Sequence, residues 1–205
     1  MTIQLSGAGK RFNRDWIFRK ITASFESGKA YAITGPNGSG KSTLLQVIAG
    51  NMGTNEGQVE WKGNDNSIND QEVYQYISVC APYLEVIEEM TAKEFLHFHA
   101  SFKPLLSSVS VNQIIDVIGL GKAADKEIRY YSSGMKQRMK LAQAIFSDVP
   151  VLLLDEPCTN LDIIGFGLYH SLIETYCREK LIVVSSNDVN EYDFCGERLS
   201  ILDYK

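Results

Sequence analysis

The sequence predicts an α/β fold, with a mostly parallel β-sheet core, an N-terminal antiparallel β subdomain and an inserted helical subdomain. Three observations support this prediction. Strand-like stretches come first, residues 82–149 then change to helical patterns, and short apolar strands alternate with helices after that. Short, fully apolar strands bounded by helices are typical of a parallel sheet. We therefore expect a single domain, 1–205, with its core at about 1–81 and 137–205 and its helical subdomain at about 82–136.

The N-terminal part of the chain is rich in strand signals. Runs of β-branched and aromatic residues, and one stretch of strict alternation, predict strands at 2–6, 16–25, 30–34, 57–63 and 76–80. Between the third and fourth of these strands, a helix is predicted to begin near Ser42 and to end at Gly50, which is a suitable C-cap.

The middle of the chain carries two helix-start signals. Thr91 with Glu94 and Ser110 with Gln113 both have the spacing of a capping box. The stretch GMKQRMKLAQAIFS then places apolar residues on one face at helical spacing. Beyond it the pattern predicts strands at 151–154, 181–184 and 199–202, and helices at 162–179 and near 188–195.

Composition excludes several classes of protein. The chain is 44% hydrophobic and 22% charged, as in globular proteins, and its net charge of −5 gives no electrostatic case for binding nucleic acid. Its four cysteines lie far apart without a C-x-x-C pair, so we expect free thiols and no metal site built from them. The N-terminus does not resemble a signal peptide, and no apolar run is long enough to predict a membrane span.

Residues 35–42, GPNGSGKS, fit the phosphate-binding loop G-x-x-x-x-G-K-[ST] between a predicted strand and a predicted helix. Glycines let such a loop turn its backbone N–H groups toward phosphate oxygens, and the helix N-terminus favours an anion. Lys41 is expected to reach the outer phosphates, and Ser42 to bind Mg²⁺. The predicted nucleotide-binding residues are Gly35, Pro36, Asn37, Gly38, Ser39, Gly40, Lys41, Ser42 and Thr43.

Two carboxylates end the apolar strand that is predicted at 151–154. Ligands of parallel sheets bind beyond the carboxyl ends of the strands, so Asp155 and Glu156 are expected to face the phosphates. Asp155 suits the coordination of a metal ion, and Glu156 suits a general base that activates water.

Together these residues resemble the ATP-binding-cassette (ABC) ATPase family. The stretch YSSGMKQR (131–138) is similar to that family's signature, and TNLD (159–162) is similar to its D-loop. The motifs stand in the family's order and span essentially the whole chain. The resemblance implies a P-loop NTPase core in which the helical insert docks on a membrane partner.

The resemblance also implies roles for individual residues. Phe12 stands where the family places an aromatic that stacks on adenine, although a core aromatic is the alternative and Trp16 is a weaker candidate. Ser132 and Gly134 would contact the γ-phosphate of ATP that is bound to a second protomer. Asp162 would lie at the dimer contact, and it also suits the N-cap of the next helix.

This chain departs from the family pattern in three places. Ser133 replaces the usual glycine of the signature. Counting back about nine residues from the helix-start threonine, the position of the family's glutamine is Pro82, which has neither a polar side chain nor an N–H group. Tyr83 and Glu85 are the nearest candidates to replace it, and the sequence does not decide between them.

Asn187 is the third departure, because the family's switch histidine is expected at this position. An amide can still donate a hydrogen bond to phosphate, but it cannot become a cation near neutral pH. The catalytic residues are therefore predicted to be Glu156 and Asn187. The alternative role of Asn187 is to help cap a short helix that begins at Asp188.

The resemblance implies an ATPase subunit that binds ATP and Mg²⁺, closes as a head-to-tail homodimer or paired cassette, and drives a separate transmembrane permease subunit. It would be cytoplasmic and peripheral on the inner face of the cell membrane. One alternative is a weakly hydrolysing or regulatory module, which Pro82 and Asn187 suggest. A DNA-repair or translation ABC protein is disfavoured, since the chain has neither a long coiled coil nor a tandem cassette.

Overall fold

The computed structural model describes residues 1–63 and 66–205. They form two compact units. Unit 1 comprises Met1–Ile77, Val149–Glu156 and Glu179–Lys205, and unit 2 comprises Ser78–Asp148 and Pro157–Arg178. Unit 2 is wider than the helical subdomain expected at about 82–136, and those boundaries stay a prediction. No helix in the described ranges is both long and apolar enough to cross a membrane.

In chain order the strands are β1 (Thr2–Phe12), β2 (Asp15–Glu26), β3 (Ala30–Thr34), β4 (Glu56–Lys62), β5 (Ser67–Ile68), β6 (Ile77–Cys80), β7 (Val151–Asp155), β8 (Leu181–Ser185) and β9 (Glu197–Ser200). The helices are α1 (Lys41–Ile48), α2 (Ala92–Ala100), α3 (Val111–Val117), α4 (Ser133–Ile145) and α5 (Ile163–Tyr176).

An antiparallel sheet in unit 1 has the strand order β2-β1-β4-β5 and confirms the predicted N-terminal β subdomain. β1 extends to Phe12, well beyond the predicted strand at 2–6, because it pairs with a neighbour on each side. The register shifts between Leu5 and Ala8 and again between Ala8 and Lys10, the two intervals that contain the weak strand formers Gly7 and Gly9. The two-residue strand β5 was too short for the sequence pattern to predict.

A parallel sheet has the order β6-β7-β8-β3-β9, which confirms the predicted parallel core. β7 and β8 are buried along their whole length, and α1 contacts both of them. Their register pairs Asp155 with Ser185, and Ser185 also pairs with Ile33 of β3. The carboxyl ends of these three strands are therefore level, and the candidate site lies beyond them.

The end of the chain differs from the prediction. The strand expected at 199–202 is β9, Glu197–Ser200, and Ile201–Tyr204 form a short 3₁₀ helix instead. The reason is that β3 ends at Thr34, which pairs with Ser200, so no partner strand continues beyond that point. The helix expected near 188–195 is likewise reduced to a 3₁₀ turn at Val189–Glu191.

Unit 2 contains the predicted helical segment. Both capping boxes are formed, since Thr91 Oγ1 accepts from the Glu94 N–H at 3.3 Å and the Glu94 carboxylate accepts from the Thr91 N–H at 2.8 Å. Ser110 and Gln113 repeat this geometry at the start of α3. The reciprocal bonds satisfy backbone donors that the first turn leaves without partners, and they define where α2 and α3 begin.

His99 on α2 joins this helix to the segment after α4. Its Nε2 lies 2.9 Å from Ser147 Oγ, and Ser147 Oγ donates to Gln143 O at 2.7 Å. The serine proton is used in the second bond, so Nε2–H donates to the hydroxyl oxygen in the first. Burial, and then the nearby Lys103, lower the pKa of His99 from 6.5 to about 4.

We predict that His99 makes the fold sensitive to acid. The unfolded chain binds a proton at this imidazole below about pH 6.5, whereas the folded chain does so only near pH 4. Stability is therefore lost as the pH falls through that window. The melting temperature of His99→Gln should fall less than that of the wild type between these pH values. The control His97→Gln alters an exposed imidazole on the same helix and should keep the wild-type slope; equal slopes for all three proteins would contradict the prediction.

Candidate active site

The phosphate-binding loop predicted at 35–42 connects β3 to α1 in unit 1. Lys41 is the first residue of α1 and is only 4% exposed. Its Nζ donates to the carbonyl oxygens of Gly35 at 2.9 Å and Pro36 at 3.3 Å, so the side chain folds back across the loop and closes it. An ammonium group has three donors, and a third remains for a ligand.

Gly40 shows why the loop needs glycine at its end. Its φ of 101° lies in the left-handed region, and a β-carbon there would overlap Ile17 Cγ2 of β2. The loop therefore packs tightly against β2, and it borders a cavity of about 220 Å³. The residues that line this cavity are Ile17, Asn37, Gly38, Gly40, Lys41, Ser42, Thr43 and Glu156.

Asp155 and Glu156 differ in their surroundings. Asp155 is 2% exposed, and its Oδ1 accepts from Ser185 Oγ at 2.7 Å. Glu156 is partly exposed and lines the cavity, with a φ of 43° that is uncommon for a residue with a side chain. Its N–H donates to Ser185 O at 2.9 Å. Ser185 therefore holds both acidic residues, a role that sequence reasoning missed.

Asn187 reaches the phosphate-binding loop. Its side chain is exposed, and Nδ2 donates to Asn37 Oδ1 at 3.2 Å. The turn that follows is capped by Asp188, whose Oδ1 accepts from the Asn190 N–H at 2.9 Å. Asp188 thus makes the capping bond of this turn, and the Asn187 amide is directed to the loop.

The two aromatic candidates differ in their exposure. Phe12, at the end of β1, is 47% exposed, with Lys10 Nζ 5.7 Å from its ring centre. Trp16 is less exposed, and the guanidinium groups of Arg19 and Arg11 lie 4.2 and 5.5 Å from its ring centre. Phe12 is thus not a core aromatic. It does not line the 220 Å³ cavity, and its stacking on adenine stays a prediction.

The signature and D-loop residues lie in unit 2, where they begin helices. Ser132 is exposed, and its Oγ accepts from the Met135 N–H at 3.3 Å as the N-cap of α4. Asp162 accepts from the Gly165 N–H at 2.8 Å as the N-cap of α5, which confirms its predicted capping role. A β-carbon at Gly134 would lie 3.0 Å from Asn160 O, so this position has little space for a side chain.

Pro82 lies exposed after β6, and its carbonyl oxygen accepts from Lys140 Nζ at 3.1 Å. The surrounding cavity of about 170 Å³ in unit 2 is lined by Glu85 but not by Tyr83. Which of the two replaces the missing glutamine stays undecided. Gln137 also lines this cavity. Gln137 is 3% exposed, and its Nε2 donates to Pro157 O at 2.6 Å, a contact that sequence reasoning missed.

Comparison with known proteins agrees with the geometry. A family model described as ABC transporter matches residues 18–159, more than half of the chain. The chain belongs to the ABC transporter family. The cassette is 25% identical over 202 residues to the uncharacterized ABC transporter ATP-binding protein YcbN of Bacillus subtilis (strain 168), covering 98% of this chain and 66% of that protein. It therefore spans just under two thirds of the Bacillus protein.

A second relative of the cassette is the lantibiotic transport ATP-binding protein SrtF of Streptococcus pyogenes, which is 25% identical over 206 residues, with 98% of this chain and 86% of that protein covered. The fold of the present chain is similar to the dimeric structure of MJ0796, a bacterial ABC transporter cassette. The TM-score is 0.80 at 21% identity, covering 97% of this chain and 94% of that one. This likeness confirms the fold of an ABC cassette.

The donor groups of the cassette fit a magnesium ion that is carried by a nucleotide. No group of three or more His, Cys, Asp or Glu residues that could hold a metal occurs in the described ranges. Ser42 lines the 220 Å³ cavity and offers a hydroxyl, while Asp155 offers a carboxylate that is buried against Ser185 and does not line the cavity. Mg²⁺ typically keeps several waters and takes one or two protein oxygens together with substrate phosphates. This sparse set of oxygen ligands is the kind that Mg²⁺ accepts.

We predict that the bond between Ser185 and Asp155 stabilises the cassette. Ser185→Ala should lower the free energy of unfolding by about 1–3 kcal/mol, because a buried carboxylate loses its hydroxyl donor. Urea unfolding measures the change. Ser24→Ala removes an exposed hydroxyl from β2 and should cost less than about 0.5 kcal/mol. Equal effects of the two substitutions would contradict this role for Ser185.

Proposed function

We propose that this chain is the ATP-binding and ATP-hydrolysing subunit of an ABC transporter. The observation that supports the proposal most directly is a single cavity in unit 1 that is lined by the phosphate-binding loop, Lys41 and Glu156. A cavity that combines phosphate donors with a carboxylate is suited to phosphoryl transfer to water. Family membership supports the same reaction.

Each group would have a separate role in hydrolysis. The loop amides and Lys41 would bind the phosphates, and Ser42 and Asp155 would hold Mg²⁺, which would neutralise charge on the phosphate oxygens. Glu156 accepts a proton from the attacking water while the water oxygen bonds to the γ-phosphorus. The bond from that phosphorus to the bridging oxygen breaks, and ADP leaves with the electron pair. Asn187 has one amide hydrogen on Asn37 and a second that can donate to the γ-phosphate.

We also propose that a second cassette completes the site. Ser132 and Gly134 would approach the γ-phosphate of the partner, with Asp162 at the contact. Directly after Asp162, Ile163 and Ile164 are 90% and 80% exposed. Adjacent exposed isoleucines of this kind support a protein contact at this position. The similarity to a dimeric cassette supports a paired assembly.

The second partner that we propose is a separate transmembrane subunit, which would hold the cassette at the inner face of the cell membrane. Membership of the ABC transporter family supports this assignment. The membrane subunit would select the transported substrate, and ATP binding and hydrolysis would close and open the pair of cassettes.

We predict that Glu156→Gln lowers steady-state phosphate release by at least about 100-fold, because the general base is lost while the side chain keeps its size. Affinity for MgATP should change by less than about threefold, since Glu156 is not a phosphate donor. Glu179→Gln, at an exposed position of unit 1, is the matched control and should hydrolyse at the wild-type rate. An unchanged rate in Glu156→Gln would contradict the catalytic assignment and favour a regulatory module.

We predict that Asn187→His raises turnover and adds a pH dependence, because an imidazole titrates near neutral pH whereas an amide does not. Phosphate release between pH 5.5 and about 8.5 measures both effects. Asn51→His introduces the same group at an exposed position beyond α1 and should change neither. If turnover and ATP affinity of Asn187→His both equal those of the wild type, Asn187 does not act on the nucleotide.

A further inference from the structure

Lys205 connects the end of the described chain to the phosphate-binding loop. Its Nζ donates to Ser39 O in the loop at 2.6 Å and to Ile17 O in β2 at 2.8 Å. All three residues belong to unit 1. One ammonium group therefore bridges the loop to a strand of the antiparallel sheet, and no feature of the family resemblance assigns this lysine a role.

Ile201 supports the loop from the same segment. It is fully buried in the short helix that precedes Lys205. A β-carbon at Gly35 would lie 2.8 Å from Ile201 Cγ2, and one at Gly40 would lie 3.4 Å from Ile201 Cδ1. The segment 201–205 thus contacts the loop at Gly35, Ser39 and Gly40. We call this segment the backing of the loop.

The bond to Ser39 O has a directional consequence. The C=O of Ser39 and the N–H of Gly40 belong to one peptide group, and the described residues contain no cis peptide bond. In a trans peptide these two groups point in opposite directions. Lys205 holds the carbonyl on the side of the backing, so the Gly40 N–H is turned to the other side of the loop. Gly40 lines the 220 Å³ cavity.

The positive charge of Lys205 also favours phosphate binding by the Gly40 N–H. A hydrogen bond from a cation to a carbonyl oxygen polarises the peptide group and makes its N–H a better donor. Lys205 therefore both orients and strengthens a donor at the start of α1, where an anion is favoured by the helix N-terminus.

We propose that Lys205 is a positioning residue for the phosphate-binding loop, which it holds in the conformation that receives nucleotide phosphates. It does not touch the nucleotide and acts through the peptide group of Ser39 and Gly40. This inference rests on the proposed function, because it concerns the same nucleotide site.

Titration calorimetry of the full chain with MgADP, MgATP and adenosine tests the proposal. Lys205→Met should weaken the binding of both nucleotides by about 3- to 10-fold, less than the loss of a charged hydrogen bond to the ligand itself, because Lys205 acts through a peptide group. Adenosine has no phosphates, so its affinity should stay within about twofold. Lys205→Arg keeps a cationic donor and should restore nucleotide affinity. The control Lys62→Met removes a lysine that pairs with Glu60 at 2.9 Å, and it should bind like the wild type.

Kinetics add a readout that a purely structural role would not move. The loop binds phosphate in the ground state and in the transition state, so Lys205→Met should raise KM while kcat stays within about twofold. Unchanged MgADP affinity in Lys205→Met would overturn the proposal. The proposal would also be overturned if Lys205→Met lost as much affinity for adenosine as for the nucleotides and had a lowered melting temperature, and if Lys205→Arg restored neither.

The experiment separates this inference from the proposed function. A wild-type chain that binds MgADP but releases no phosphate from ATP would refute hydrolysis, while the comparison of MgADP affinities would still decide the role of Lys205. A wild-type chain that binds neither nucleotide would overturn both.

Discussion

The parallel pairing of β7 with β8 and of β8 with β3 is the constraint on which the candidate site depends. Ser185 is level with Asp155 on one side and with Ile33 on the other. Because all three strands run in the same direction, their carboxyl ends meet at one edge, and the loops that leave them carry the site residues. A shift of one residue in this register would turn the Asp155 side chain to the opposite face of the sheet.

Backbone strain is present at the same edge. Glu156 has a positive φ, a conformation that costs on the order of 1 kcal/mol or more for a residue with a β-carbon. The hydrogen bond from its N–H to Ser185 O and its position directly after a fully buried strand hold it there. The result is a carboxylate that lines the cavity, whereas the preceding Asp155 is buried against Ser185.

Local signals explain which parts of the fold were predictable. β3 has the bounds that the apolar run predicted, and both capping boxes form as their spacing indicated. The phosphate-binding loop lies between β3 and α1, as its motif requires. In these cases the interacting residues are neighbours in sequence, so side-chain chemistry and spacing decide the structure. The strand predicted at 199–202 instead ends at Ser200, because its partner β3 ends at Thr34. The end of a partner strand is not encoded in the local sequence pattern.

The sequence by itself determined the family and the α/β class, and it predicted the phosphate-binding and acidic residues, because each is encoded in a short motif. Only the tertiary structure decided that Asn187 donates a hydrogen bond to Asn37 and that Lys205 donates one to Ser39. It also decided that Ser185 is hydrogen-bonded to both Asp155 and Glu156. The partners in the first two contacts are separated by 150 and 166 positions. Such contacts depend on strand order and register, and these arise only when the whole sheet is assembled.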